Sequence, residues 1–168
     1  MTTVDYKTEF GSVADFEKGG VTIINDNPKN YVFSNIYDVA NTSAPYERVV
    51  VAINREYVIE AARAEGASPL YTNAHDEFVL CMDGEVEVEL MKPEVALLPS
   101  DAEGAHLVEG EAEGQKMGRL VLGRGHQGLL PAGCLYRFSS VKVSVISVQS
   151  ILGPVSVQKW ADICQTEA

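Results

Sequence analysis

The sequence predicts an all-β fold, either an antiparallel barrel or a double-sheet jelly roll, and three observations support this prediction. Short β-rich runs are punctuated by glycine and proline along most of the chain. Residues 85–90 alternate strictly between glutamate and an apolar residue, as a half-buried strand does. Residues 125–136 hold Gly125, Pro131 and Gly133 at spacings that suit tight bends in a barrel wall.

Length and composition predict one globular domain in the cytoplasm. With 168 residues, of which 46% are hydrophobic, the chain is long enough to bury a core. Its formal net charge of -11 disfavours nucleic acid and membrane surfaces as partners. Neither a long apolar run nor the basic and apolar regions of a signal peptide stand out in the sequence. Three widely separated cysteines fit reduced thiols better than a disulfide framework.

The chain divides into an N-terminal arm, residues 1–45, and a barrel domain, residues 46–168. The arm carries scattered short apolar pieces between turn-forming residues, and we expect it to wrap a partner. The barrel begins with the β-branched run 48–53, which predicts a strand. Residues 56–64 are ambiguous, because their alanines favour a helix but glycine and proline follow closely.

The dipeptide Asp83-Gly84 separates two β-patterned runs, and this arrangement predicts a β-hairpin. In the second run the glutamates share one face, which we expect in water, and the apolar residues share the other.

The second half of the barrel domain is predicted to end in a helix. Residues 93–114 are acidic and rich in glycine, which indicates a long surface loop between strands. Ser156 is predicted to cap a short C-terminal helix over residues 157–165. Trp160 and Ile163 on that helix would dock on the barrel.

Two runs resemble the two motifs of the cupin superfamily, a family of jelly-roll barrels. The second cupin motif, G-x5-P-x-G-x2-H, matches residues 125–136, except that Tyr136 stands in place of the final histidine. The first motif, G-x5-H-x-H-x3,4-E-x6-G, is matched at its end by Glu77 and Gly84. The resemblance implies a cupin-like jelly-roll β-barrel.

In metal-binding cupins, three histidines and the glutamate of these motifs hold a divalent ion. Counting back from Glu77 puts Tyr71 and Asn73 at two of the histidine positions, and Tyr136 occupies the third. With three of four ligands replaced, we expect no metal, cofactor or catalytic residue on this chain. A Glu77 that points into the barrel must be protonated or paired, with His75 or Tyr136 as its partner.

Other ligand sets remain open at this point. The longer spacing of the first motif puts Leu70 and Thr72 at the histidine positions. A displaced metal site could use His75, Glu77 and His126, because His75 can share the face of Glu77 on an extended strand.

Several runs resemble, more narrowly, the small subunit of the two-component hydroquinone 1,2-dioxygenases. The likeness covers most of residues 45–165. The runs that carry it are 60–66, 74–88, 116–119, 125–133, 151–153 and 159–164.

That resemblance implies a function. Enzymes of this family use iron(II) and dioxygen to cleave hydroquinone to 4-hydroxymuconic semialdehyde, in the bacterial breakdown of para-nitrophenol and related phenols. They pair a small subunit with a larger, iron-bearing one, usually as two of each. The chain is therefore predicted to be a non-catalytic small subunit, which stabilises the larger subunit and could line its active site.

Two other functions are consistent with the residues. The chain could be a self-sufficient cupin enzyme with the His75, Glu77 and His126 site. It could also be a metal-free cupin that binds a small aromatic ligand, with Tyr71 and Tyr136 in the barrel lining.

Overall fold

The computed structural model describes residues 35–110, 112 and 114–159, and most of them belong to a β-barrel. Within these residues, one helix precedes ten strands. The elements are α1 (Ile36–Thr42), β1 (Arg48–Asn54), β2 (Tyr57–Ala67), β3 (Tyr71–Asn73), β4 (Glu77–Asp83), β5 (Glu85–Pro93), β6 (Ala105–Leu107), β7 (Gly114–Gly123), β8 (Gln127–Leu130), β9 (Leu135–Ile151) and β10 (Ser156–Val157).

The long strand β9 is the centre of the barrel. It pairs antiparallel with β2 along one edge, and with β4 and then β5 along the other. Beyond β2 come β1 and the short β10, which is parallel to β1. On the other side, β8 pairs with β4 and β7 pairs with β5. This arrangement of long, bent, antiparallel strands confirms the predicted all-β jelly roll.

Asp83-Gly84 is a bend in one long strand path, so the predicted hairpin is wrong. Both β4 and β5 pair with β9 in the same antiparallel direction, and within the described residues they do not pair with each other. Gly84 has a φ of +78°, and a Cβ there would lie 2.2 Å from the Oγ of Ser144. A positive φ serves a bulge as well as a hairpin turn, and the dipeptide alone does not distinguish them.

The other strand predictions in this half of the chain hold. In β5 the apolar residues Val86, Val88 and Leu90 are buried and the glutamates between them are outside, as the alternation predicts. Residues 56–64, for which the sequence left helix and strand open, lie mostly in β2. Their alanines are buried there. The acidic stretch 93–114 is loop for most of its described length, but it also contains β6, which pairs with β3.

The predicted C-terminal helix is wrong at its start, which is the part that the structure describes. Ser156 and Val157 form β10 and pair with β1. The hydroxyl of Ser156 donates to the carboxylate of Glu60 inside the barrel, so it does not act as the predicted helix cap. Trp160 and Ile163 lie outside the described residues.

The described end of the arm, residues 1–45, includes α1. Asn35 caps this helix, and its side chain accepts hydrogen bonds from backbone N–H groups of the first turn. Val39 packs with Val49 and Ala61 on the outer face of β1 and β2. Among the described residues, no helix has the length and apolar character needed to cross a membrane.

Candidate functional site

The fold brings most of the predicted site positions together. Tyr71, Asn73, Glu77 and Tyr136 are buried, whereas His75 is partly exposed. Tyr71 on β3 is the register partner of Tyr136 on β9, and their rings stack with centroids 5.4 Å apart. Glu77 begins β4, and its carboxylate accepts a hydrogen bond from the Tyr136 hydroxyl at 2.5 Å. The predicted pairing of Glu77 with Tyr136 is confirmed.

A buried arginine that the sequence analysis missed occupies the middle of this site. Arg48 is the first residue of β1, and only 3% of it is exposed. Its Nε donates to Glu60 Oε2 at 2.5 Å, and its Nη2 donates to Glu77 Oε1 at 2.6 Å. Its Nη1 donates to the hydroxyl of Tyr136 at 2.9 Å. One guanidinium thus joins strands β1, β2, β4 and β9.

Two serines complete what we call the ion network, formed by Arg48, Glu60, Glu77, Tyr136, Ser150 and Ser156. Ser150 donates to Glu77 Oε1 at 2.6 Å, and Ser156 donates to Glu60 Oε1 at 2.5 Å. Every carboxylate oxygen of the network therefore accepts at least one hydrogen bond. Such complete pairing is what allows charges to be buried in a barrel.

Charge and burial act differently on the two glutamates. Burial would raise the pKa of Glu77, but the charge of Arg48 and the hydrogen bonds from Arg48, Ser150 and Tyr136 outweigh it, and the pKa is lowered. For Glu60, burial outweighs the same arginine and the Ser156 hydrogen bond, so its pKa is raised. One guanidinium cannot fully compensate two buried carboxylates.

The tyrosine of the network stays protonated. Burial raises the pKa of Tyr136 well above its ordinary value, and the charge of Arg48 offsets only part of that effect. The pKa of Arg48 is also raised, since its anionic neighbours outweigh the effect of burial. The centre of the barrel is therefore a fixed cation held by carboxylates and a neutral hydroxyl.

Arg48 and Glu60 could have been noticed in the sequence, but not as partners. Arg48 is a single charge at the head of a β-branched run, and Glu60 lies among alanines at a position that alternation turns inward. The chain separations from Arg48 to Glu60, Glu77 and Tyr136 are 12, 29 and 88 residues. No local pattern encodes contacts at such separations.

The residues at the candidate metal position do not fit a divalent ion. The guanidinium of Arg48 already holds Glu77 and would repel a second cation. Tyr71 is stacked against Tyr136, and the Asn73 amide donates to the carbonyl of Leu130 at 2.9 Å. Within the described ranges, no group of three histidine, cysteine, aspartate or glutamate side chains could hold a metal.

The alternative set of His75, Glu77 and His126 is not assembled. His75 accepts a hydrogen bond from the backbone N–H of Ile151 at 3.3 Å, and it is not a partner of Glu77. His126 lies at the bend between β7 and β8, where its Nδ1 accepts from the backbone N–H of Gly123 at 3.2 Å. Each histidine thus supports the backbone near its own strand end.

The glycine and proline run of the second motif has a structural role. Asn73 accepts, through its backbone carbonyl, a hydrogen bond from Gly133 N at 2.8 Å. The carboxylate of Asp76 accepts from Ala132 N at 2.8 Å. The turn before β9 is thereby tied to the segment that links β3 and β4, and Gly133 adopts a φ of +72° that favours glycine.

Aromatic side chains fill the barrel beside the ion network. Phe138 packs edge-on against Tyr136, with centroids 5.5 Å apart, and Tyr71 stacks on the other face. A groove of about 640 Å³ lies outside this stack. Its walls include Lys92, Leu97, Met117, Pro131 and Cys134, and neither Tyr71 nor Tyr136 lines it.

Comparison with solved structures gives full-length matches, whereas protein-family models and curated proteins give none. The chain is 56% identical to a chain of the hydroquinone 1,2-dioxygenase from Sphingomonas sp. TTNP3 with 4-hydroxybenzoate bound, with a TM-score of 0.78 and coverage of 98% and 100% of the two chains. It is 50% identical to a chain of hydroquinone 1,2-dioxygenase PnpCD in complex with Cd²⁺ and 4-hydroxybenzonitrile, with a TM-score of 0.76 and coverage of 97% and 99%.

A second kind of chain in such structures shares the fold only. This chain aligns with 40% of a chain of PnpCD in complex with Fe³⁺, at 14% identity and a TM-score of 0.55. It aligns with 38% of a chain of the Sphingomonas enzyme in complex with 4-nitrophenol, at 14% identity and a TM-score of 0.56. In both cases this chain spans less than half of the longer one.

Proposed function

This chain belongs to the cupin-fold hydroquinone 1,2-dioxygenase family, and we propose that it is the small, non-catalytic subunit of an iron(II)-dependent enzyme of this class. The reaction is the cleavage of hydroquinone by dioxygen to 4-hydroxymuconic semialdehyde. The iron belongs to a larger partner subunit, and the assembly contains two subunits of each kind in the cytoplasm.

The observation that carries this proposal is the arginine at the candidate metal position. Arg48 supplies the positive charge that Glu77 needs, and Tyr136 adds a neutral hydroxyl. Because this positive charge belongs to the chain itself, Glu77 does not need a metal ion as its counter-charge. The barrel therefore keeps its architecture without iron, and the chemistry falls to another chain.

The role of this chain is then structural. Its barrel stabilises the larger subunit and presents an outer surface to it. The relatives were solved with 4-hydroxybenzoate, 4-hydroxybenzonitrile and 4-nitrophenol, which are para-substituted phenols of one ring. By analogy, the assembled enzyme that we propose binds a small aromatic substrate.

The test is co-expression with the larger subunit, followed by oxygen uptake with hydroquinone for each chain alone and for both. We expect uptake only from the complex. Iron analysis of the separate chains provides a second measurement, and we expect no stoichiometric iron on this one. About one tightly held iron per isolated chain, lost on His75→Ala, would sink the proposal and favour a self-sufficient enzyme.

The groove favours a second candidate function, the binding of a small aromatic ligand by this chain alone. Leu97 and Met117 offer apolar walls, and Lys92 offers a charge for a phenolate. Calorimetric titration of the isolated chain with hydroquinone and with 4-nitrophenol tests this candidate. A lack of heat beyond dilution for both compounds would eliminate this candidate.

A further inference from the structure

One outer face of the barrel carries a row of exposed apolar side chains in register. Ile59 on β2 lies opposite Gln149 on β9, Gln149 lies opposite Phe78 on β4, and Phe78 lies opposite Leu129 on β8. Exposure is 39% for Ile59, 43% for Phe78 and 44% for Leu129. Tyr57, one pleat along β2 from Ile59, is 62% exposed. We refer to these five residues as the outer band.

On one side, the outer band borders uncharged residues, whereas on the other side the exposed Asp76 comes two residues before Phe78. The next row of register partners outward on the same strands consists of Ala61, Ser147, Leu80 and Gln127. Neither row contains an ionisable side chain, although the chain as a whole has a formal net charge of -11. An exposed apolar band over four strands of a strongly acidic protein is typical of a surface that another protein covers.

The same face is already covered in part. Helix α1 packs its apolar residues on Val49, Val51 and Ala61, at the β1 side of the sheet. The outer band continues that apolar surface toward β4 and β8, where Phe78 and Leu129 remain 43% and 44% exposed. An apolar sheet face is stabilised when a packed element covers it, and α1 covers this one only at its β1 side.

We propose that the outer band is the docking surface for the larger dioxygenase subunit, and specifically for a jelly-roll barrel within that subunit. This inference rests on the proposed function. The occupant is argued from the longer chains of the related enzymes, because each contains a part that aligns with 84% or 88% of this chain at the level of fold. Two barrels of one fold can pair through equivalent sheet faces, as pseudo-symmetric dimers do.

Binding between the two subunits tests the proposal. The variant is Phe78→Glu combined with Leu129→Glu, which sets two carboxylates into the outer band. The control is Val121→Glu combined with Val143→Glu, because these residues are 48% and 51% exposed on β7 and β9, outside the outer band. Affinity for the larger subunit is measured by titration, and the melting temperature of each small chain is measured alone.

We expect the band variant to bind on the order of 100-fold more weakly, because buried charges at an interface centre are costly. The control variant should bind within about threefold of the unmodified chain, as rim or remote substitutions do. Both variants should melt close to the unmodified chain, because every substituted position is exposed to solvent in the described structure.

Three results would overturn the inference while leaving the proposed function intact. They are unchanged affinity of the band variant, an equal loss of affinity in the control, and a dimer of the small chain that only the band variant abolishes. A fourth contrary result is a large drop in the melting temperature of the band variant alone, because the band would then already be packed within the isolated chain. Failure of the unmodified chain to bind the larger subunit at all would reject the proposed function itself.

Discussion

The two halves of one strand path treat glutamate in opposite ways. At the start of β4, Glu77 faces the barrel interior and is fully buried against Arg48. In β5, Glu87 and Glu89 face outward and lie 3.2 and 3.4 Å from exposed arginines. The first carboxylate joins the centre of the fold, whereas the other two contribute to a hydrated surface.

The bend at Gly84 creates this difference. Before the bend, odd-numbered residues such as Val79 and Cys81 point inward together with Glu77. After it, even-numbered residues such as Val86 and Val88 point inward. Without a one-residue shift, the glutamates of β5 would enter the barrel beside Glu77. The bulge therefore determines which carboxylates are buried. Burial in turn determines how much each carboxylate contributes to the free energy of unfolding.

The largest expected effect comes from removing the buried cation. Arg48→Met leaves Glu60 and Glu77 facing each other without a counter-charge, so we expect the free energy of unfolding to fall by about 3–5 kcal/mol. Denaturant unfolding at neutral pH measures it. Arg137→Met is the matched control, because its pair with Glu89 is exposed. Equal losses in the two variants would contradict the special role of the buried site.

A smaller effect is expected at the tyrosine that replaces the motif histidine. Tyr136→Phe keeps the aromatic stack but removes the hydroxyl that links Arg48 to Glu77. We expect a loss of about 1–2 kcal/mol in the free energy of unfolding, because buried polar groups lose a partner. Tyr57→Phe, at an exposed position of the outer band, should change the unfolding free energy little.

The two buried glutamates should respond to pH with opposite signs. The pKa of Glu77 is lowered, so its contribution to stability is present above the ordinary value of 4.5 and is lost as pH falls through the folded pKa. The pKa of Glu60 is raised, so its contribution is present below 4.5 and is lost as pH rises through the folded pKa. Each effect is limited to about 1.4 kcal/mol per pH unit.

Unfolding free energies of Glu77→Gln and Glu60→Gln, measured against the unmodified chain from acid to neutral pH, check these signs. The deficit of Glu77→Gln should grow as pH rises, whereas the deficit of Glu60→Gln should shrink. Parallel pH profiles for the two variants would mean that the network titrates as one unit.

The smallest effect on the free energy of unfolding is expected for the exposed glutamates of β5. Glu89→Gln breaks an exposed pair with Arg137, so we expect the unfolding free energy to change by less than about 0.5 kcal/mol. The difference should disappear in high salt, where exposed charges are screened. A loss as large as that of Arg48→Met would show that solvent exposure does not predict how much an ion pair contributes to the unfolding free energy of this protein.

Much of the architecture could be predicted from the sequence, because alternation and turn residues act locally. The period of two in residues 85–90 identified the buried face of β5 correctly. The match of residues 125–136 to a barrel motif identified a turn that the structure ties down through Gly133. The Asp83-Gly84 dipeptide indicated the right backbone geometry, but whether the chain reverses there depends on β9, more than fifty residues away in sequence.

The centre of the site could be predicted only in part. Glu77 and Tyr136 were recognised because a motif gives their spacing, and their hydrogen bond followed from the cost of a lone buried carboxylate. Arg48 was missed because no motif contains it and its partners lie on three other strands. A search for unexplained charges in apolar strands would have selected both Arg48 and Glu60.

The central position of β9 has a consequence for how the chain acquires its structure. Tyr57 pairs with Ile151, at opposite ends of the described barrel, and both β2 and the path through β4 and β5 depend on β9 for an edge. During synthesis these earlier strands emerge first and must wait for a late segment before their backbone groups are paired. The nascent chain therefore exposes open strand edges until translation has nearly passed the barrel, which makes this interval the time of greatest risk of aggregation.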